Sequence, residues 1–139
     1  MRWVVRRSAR GKGYDITDLE YSETKPGAMY PEIGHNLAKK IQSGEYTSGI
    51  LLCGTGLGMS MAANKVEGVY AAVCHDVYPA KRVRASNAAQ ILTMGERVVG
   101  AESAKTVVDA WLASDYEGGS SAPKVEQMRE LEKREFGAQ

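Results

Sequence analysis

The stretch Ile50-Leu51-Leu52-Cys53-Gly54-Thr55-Gly56-Leu57-Gly58-Met59-Ser60 decides the fold. Its apolar run, 50–52, reads as a buried parallel strand, which needs apolar residues on both faces. The run stops at a thiol. Three glycines at alternate positions follow, then a helical stretch over 60–65. Strand, glycine loop and helix together aim main-chain N–H groups and the positive helix end at an anion. Glycine lets the backbone curl and come close to a ligand. The cysteine at the loop entry sets this motif apart, because the thiolate is a nucleophile and a base.

Two standard loops fail the comparison. A P-loop requires Lys after its last glycine, and none follows Gly58. A dinucleotide fingerprint requires G-x-G-x-x-G, but Met59 occupies the place of the third glycine. The loop alone leaves two readings open: a reactive Cys53, or a tight turn beside a buried inert thiol.

Outward from the loop, strands alternate with helices. A polar loop with a Pro-Gly pair covers 21–27, and Pro31 suits a first helical turn. Ile33, Leu37, Ala38 and Ile41 fall on one helix face, which Gly44 ends. A strand is expected over 69–73, a helix over 76–84 and a short strand over 91–93. Ala104, Val107, Val108, Trp111 and Leu112 recur at helical spacing. Gly118-Gly119-Ser120-Ser121 breaks the chain, and Pro123 opens a charged last helix with Val125, Met128 and Leu131 on one side. The alternation predicts an α/β protein, a three-layer α/β/α sandwich around a parallel, Rossmann-like sheet. Ligands in such folds bind beyond the carboxyl ends of the strands, where Cys53 lies.

Composition bounds the rest. The 139 residues suit one domain, with 43% hydrophobic and 25% charged residues. A net charge of +1 gives no case for nucleic acid or a membrane surface. No apolar run approaches the roughly 18 residues of a membrane span, and no signal peptide is visible. Cys53 and Cys74 lack metal or redox spacing, so they read as thiols in a reducing cytoplasm. Neither His35 nor His75 pairs with a second ligand, so no metal is expected. His35 is expected in solvent; His75 reads as a structural histidine.

The motif C-G-T-G-x-G-x-S-x-A-A-N-K from Cys53, the run Ala71-Ala72-Val73-Cys74-His75-Asp76 and the run Met94-Gly95-Glu96-Arg97-Val98-Val99-Gly100 carry a resemblance. Ala104-Lys105, Val108-Asp109-Ala110-Trp111-Leu112 and Tyr116-Glu117-Gly118-Gly119 extend it. They resemble the ribose-5-phosphate isomerase B and galactose-6-phosphate isomerase family over about 13–136. The resemblance implies an aldose–ketose isomerase acting on a sugar phosphate, without a cofactor. It implies Cys53 as the base, with Thr55 beside it on the sugar oxygens. Gly54, Gly56, Leu57 and Gly58 would contact substrate through the loop. Asn87 would bind substrate hydroxyls, and Arg97 would reach the phosphate across a dimer interface. It also implies a homodimer or homotetramer with shared sites.

Several departures from the family pattern matter. Family members open with a strand and an Asp-containing loop, whereas 13–19 here already resembles their second strand. The first strand is therefore expected to be missing or altered, with 1–12 as a basic remnant of the first helix or a disordered tail. The isomerase domain is expected over 13–121, and 122–139 as a helix packing on a partner subunit. Ser86 stands where the ribose enzymes carry a ring-opening His. Ser120 and Lys124 stand where they carry arginines, and Lys124 can still meet phosphate as a point charge. A tetrose 4-phosphate cannot close a furanose ring, so Ser86 suits that substrate. The run 86–91 also resembles the tetrose-phosphate branch. Two alternatives remain: an incomplete subunit of a hetero-oligomeric isomerase, and a sugar-phosphate-binding regulator.

Overall fold

The computed structural model describes residues 1, 5, 9–19 and 27–137. Helix α1 is Tyr30–Gln42. Strand β1 is Gly49–Cys53, followed by α2, Leu57–Ala63. Strand β2 is Ala71–Val73 and α3 is Val77–Ala85. Strand β3 is Ile91–Gly95 and α4 is Ala101–Leu112. A single 3₁₀ turn, Gly119–Ser121, leads into α5, Ala122–Phe136. Near the start, Val5 and residues 9–11 are helical. Much of the basic segment 1–12 and most of the 21–27 loop lie outside the described residues.

The sheet is parallel, in the order β1-β3-β2. Gly49 stands opposite Ile91 and Cys53 opposite Gly95. Ala71 also pairs with Ile91, and Val73 with Thr93. All five residues of β3 are buried, as expected for a central strand covered on both faces. Its two faces build two cores. Leu92 and Met94 pack with Ala80, Val107, Val108 and Trp111 from α3 and α4. Ile91 joins Leu37, Ala38, Ile41, Met59 and Ala63 from α1 and α2 on the other side. The result is the expected α/β/α sandwich. The helical spacing of α4 is realised with Ala104, Val107, Val108 and Trp111 all buried.

One strand expectation is overturned. Residues 14–19 are not paired in the sheet. Tyr14 Oη donates to the Leu112 carbonyl at 3.2 Å, and an Arg10 guanidinium N–H donates to the Ile16 carbonyl at 3.0 Å. The segment borders a cavity of about 430 Å³ beside the free edge of β1, facing Ile50 and Leu52. A strand inserted there would be covered on both faces, and Asp15, exposed here, would carry charge into that interior. The sequence resemblance hid this conflict.

The last helix docks on its own chain. Glu132 accepts the Gly68 N–H at 2.9 Å and the Tyr70 O–H at 3.1 Å. Val125 is buried, whereas Met128 and Leu131 stay 40% and 45% exposed.

Candidate active site

The parallel sheet gathers every strand's carboxyl end at one edge. Cys53 and Gly95 end their strands there, and Cys74 follows β2 by one residue. The chain leaves Cys53 through three bends, 54–56, before α2. Gly56 adopts φ +81°, and a Cβ there would lie 2.9 Å from the Met94 backbone. Only glycine fits both conditions.

Cys53 is partly buried. The Gly56 N–H donates to its Sγ at 3.0 Å. A hydrogen bond of this kind strengthens when the acceptor is ionised. Thr55 is exposed, and its Oγ1 accepts the Leu57 N–H at 3.3 Å. The first helical bond of α2 runs from the Ser60 N–H to the Gly56 carbonyl at 3.2 Å. Ahead of it, the main-chain N–H groups of Gly58 and Met59 have no acceptor within the helix. Helix α2 has only seven residues, so local amides outweigh any long-range dipole here.

A second turn, 96–98, clasps this loop. The Glu96 N–H donates to the Cys53 carbonyl at 2.9 Å, and the Arg97 N–H to the Gly54 carbonyl at 3.1 Å. A Cβ on Gly54 would stand 3.5 Å from Arg97 Cδ and Nε, so the exposed arginine side chain crosses its own chain's loop. Arg97 therefore lies against the glycine loop of its own chain. On Gly95 a Cβ would fall 2.5 Å from the Thr55 Cα. The buried Thr93 donates its hydroxyl to the Gly56 carbonyl at 2.8 Å. Gly58 has its own tight neighbour, since a Cβ there would lie 2.3 Å from the Tyr30 hydroxyl oxygen.

The other expected residues lie elsewhere. Helix α3 carries the chain away from the Cys53 edge, and its nine residues span about 13.5 Å. Ser86 and Asn87 follow it, just before β3 begins, and therefore sit at the opposite edge of the sheet. An Arg82 guanidinium N–H donates to Ser86 Oγ. Asn87 is exposed and precedes Ala88, whose φ of +57° is left-handed. Lys124 is exposed on α5, which enters through Glu117; the Glu117 N–H donates to the Ala85 carbonyl at 3.0 Å. One chain thus holds a loop set (Cys53, Thr55, Gly58, Arg97) and, beyond α3, a second set (Ser86, Asn87, Lys124).

His75, read from the sequence as a structural histidine, makes a structural contact at the edge of the site. His75 Nε2 accepts the Gly95 N–H at 2.8 Å. His35 is exposed on α1. Among the described residues no group of three or more His, Cys, Asp or Glu could hold a metal ion, and no helix is long and apolar enough to cross a membrane.

Comparison with known proteins agrees with this architecture. The sequence profile of the family described as Ribose/Galactose Isomerase matches residues 2–128. The D-erythrulose-4-phosphate isomerase of Pectobacterium atrosepticum is 49% identical over 124 residues, which cover 89% of this chain and 82% of that protein. The structure of ribose-5-phosphate isomerase B from Clostridium thermocellum superposes with a TM-score of 0.85 at 41% identity, covering 94% of this chain and 87% of that one. The Mycoplasma genitalium ribose-5-phosphate isomerase B with bound ribulose-5-phosphate gives 0.84 at 30% identity, with the same coverage of both chains.

Proposed function

The chain belongs to the ribose/galactose isomerase family, and from that premise we propose that it interconverts a phosphorylated aldose and ketose with Cys53 as the base. The observation that carries this reading is the Cys53 thiol itself, at the carboxyl edge of the sheet with a loop N–H on its sulfur. Mere sugar binding needs no thiol there.

The chemistry follows from the groups at that edge. The Cys53 thiolate takes a proton from the carbon next to the substrate carbonyl, and the electron pair moves onto the carbonyl oxygen as an enediolate. The thiol then returns the proton to the neighbouring carbon, while one O–H proton passes between the two substrate oxygens. The N–H groups of Gly58 and Met59 meet the developing oxyanion; one such donor is worth about 3–4 kcal/mol in other enzymes. Thr55 contacts a sugar oxygen. Gly54, Gly56 and Leu57 shape the loop, and Arg97 offers the planar fork that fits phosphate.

A tetrose 4-phosphate is the favoured substrate. A furanose must be opened by an acid before isomerisation, and the hydroxyl of Ser86 is far too weak an acid near neutral pH to do what a histidine does. A sugar that cannot close the ring needs no such acid. The 49% identity to a D-erythrulose-4-phosphate isomerase points the same way.

The site is shared between two copies of the chain. Ser86, Asn87 and Lys124 sit across the sheet from Cys53, so a partner's set must face the loop for them to touch its substrate. Exposed apolar side chains around the loop support a covered face: Met29 is 78% exposed, Met61 68% and Leu57 58%. The C-terminal helix, with Met128 and Leu131 outward, offers a further partner surface.

The test is isomerisation of a panel holding the erythrulose 4-phosphates, ribose 5-phosphate and allose 6-phosphate, by wild type and Cys53→Ala. Turnover of a tetrose phosphate that vanishes in Cys53→Ala is expected. Turnover that survives the substitution removes Cys53 as the base. No turnover on any sugar favours an incomplete or purely binding subunit.

A further inference from the structure

We propose that His75 is a positioning residue for the Cys53 loop, holding it through the Gly95 N–H rather than touching substrate; this rests on the reading of Cys53 as the base. Strand β2 ends at Val73, opposite Thr93 and two residues short of the end of β3. The Cys74 N–H makes the last ladder bond, to the Thr93 carbonyl at 3.1 Å. The next β3 donor on that side is the Gly95 N–H, and no β2 carbonyl takes it. The His75 imidazole takes it instead, through Nε2 at 2.8 Å. A side chain thus extends the ladder by one rung.

That rung sits where the site is fastened. Gly95 backs directly on Thr55, with no room for even a methyl group between them. Gly95 also opens the turn whose next two N–H groups hold the Cys53 and Gly54 carbonyls. A tilt of the 94–95 peptide therefore moves the thiol and the Thr55 hydroxyl together. Because Nε2 accepts, the ring proton resides on Nδ1. A leucine in its place would leave the N–H of the buried Gly95 unpaired, and the peptide would turn to find water. A glutamine carries a carbonyl oxygen near the position of Nε2 and can accept the same bond.

The experiment compares wild type, His75→Leu and His75→Gln. Two readouts are followed: turnover of the preferred sugar phosphate, and the rate at which iodoacetamide modifies Cys53 at fixed pH. In His75→Leu, kcat should fall about 10–100-fold, the scale of a displaced catalytic group. KM should stay within about twofold, since phosphate binding by Arg97 is shared by ground and transition states. Cys53 modification should slow several-fold, and His75→Gln should restore both. A leucine variant equal to wild type in both readouts overturns the proposal, as does a glutamine variant no better than leucine. If wild type itself turns over no sugar, the isomerase reading falls, while the modification rates still judge the positioning role. Should His75→Leu fail to fold, long-range ¹H–¹⁵N spectra of wild type decide. The expected state has a bare Nε2 and a proton on Nδ1, and a protonated Nε2 overturns the proposal.

Discussion

The Gly56 N–H points at the sulfur of Cys53, 3.0 Å away, while the Glu96 N–H holds the carbonyl of the same cysteine at 2.9 Å. The thiol is thus fixed at both its side chain and its backbone. Cys53→Ala removes the base but leaves the backbone clasp intact. Turnover should fall by about 10²–10⁴-fold, the usual worth of a positioned acid or base. The urea midpoint should stay close to wild type. Rate assays and unfolding curves on the same preparation check both.

Gly95→Ala pushes a methyl group onto the Thr55 backbone, which cannot move aside as a flexible side chain would. A loss of about 1–3 kcal/mol is expected from such overpacking. Gly68 provides the control. Its φ is +81° and open space surrounds it, so Gly68→Ala suffers only the backbone penalty, about 1 kcal/mol. Denaturant unfolding of the two variants should separate steric from conformational cost.

Cys74 is the buried thiol of the two. Burial, and after it the charge of Asp76, pushes its thiol above the ordinary 9.0. The folded state therefore holds that proton after the unfolded chain has lost it. The associated stability is fully present below pH 9.0 and drains away as pH rises through the folded value. Between about pH 8 and about pH 10, Cys74→Ala should flatten the decline in stability. At neutral pH, mass spectrometry should find Cys53 modified by iodoacetamide and Cys74 untouched until the protein unfolds.

Two inactive variants should rescue each other if the site is shared. Cys53→Ala lacks the base, and Asn87→Ala lacks the substrate contact at the far edge. In a mixed dimer one of the two sites is whole. Random exchange of subunits should return up to about a quarter of wild-type turnover. No recovery after verified exchange would place the whole site within one chain.

Glu132→Gln tests how α5 is held. The carboxylate takes both the Gly68 N–H and the Tyr70 O–H, and burial together with Glu132 keeps the Tyr70 phenol proton on beyond its ordinary range. An amide accepts only through its single oxygen. The helix should fray, and limited proteolysis should cut within α5 faster than in wild type.

Much of this architecture was legible in the sequence. The apolar run into Cys53, the glycine spacing and the Trp111 helix all stand where their periodicity puts them, because burial dictates each. Residues 14–19 misled because likeness to a strand carries no account of the neighbouring layers, where Asp15 conflicts with burial. The separation of Asn87 from Cys53 was readable. In any parallel β-α-β unit, a residue just before the next strand lies at the edge opposite the loop that follows a strand. The bond from Gly95 to His75 was not, since it joins groups twenty residues apart and leaves no pattern in the chain.

The contact between Gly58 and Tyr30 has a consequence for how this sequence can change over time. Any side chain at 58 evicts the tyrosine ring from its seat, and a smaller residue at 30 opens a space that glycine cannot fill. The two positions therefore hold one inherited choice rather than two. Among descendants of this chain they should mutate as a pair, with an alanine or serine at 58 accompanied by loss of the ring at 30. A library randomising both positions should return far more active clones than the product of the two single-site libraries.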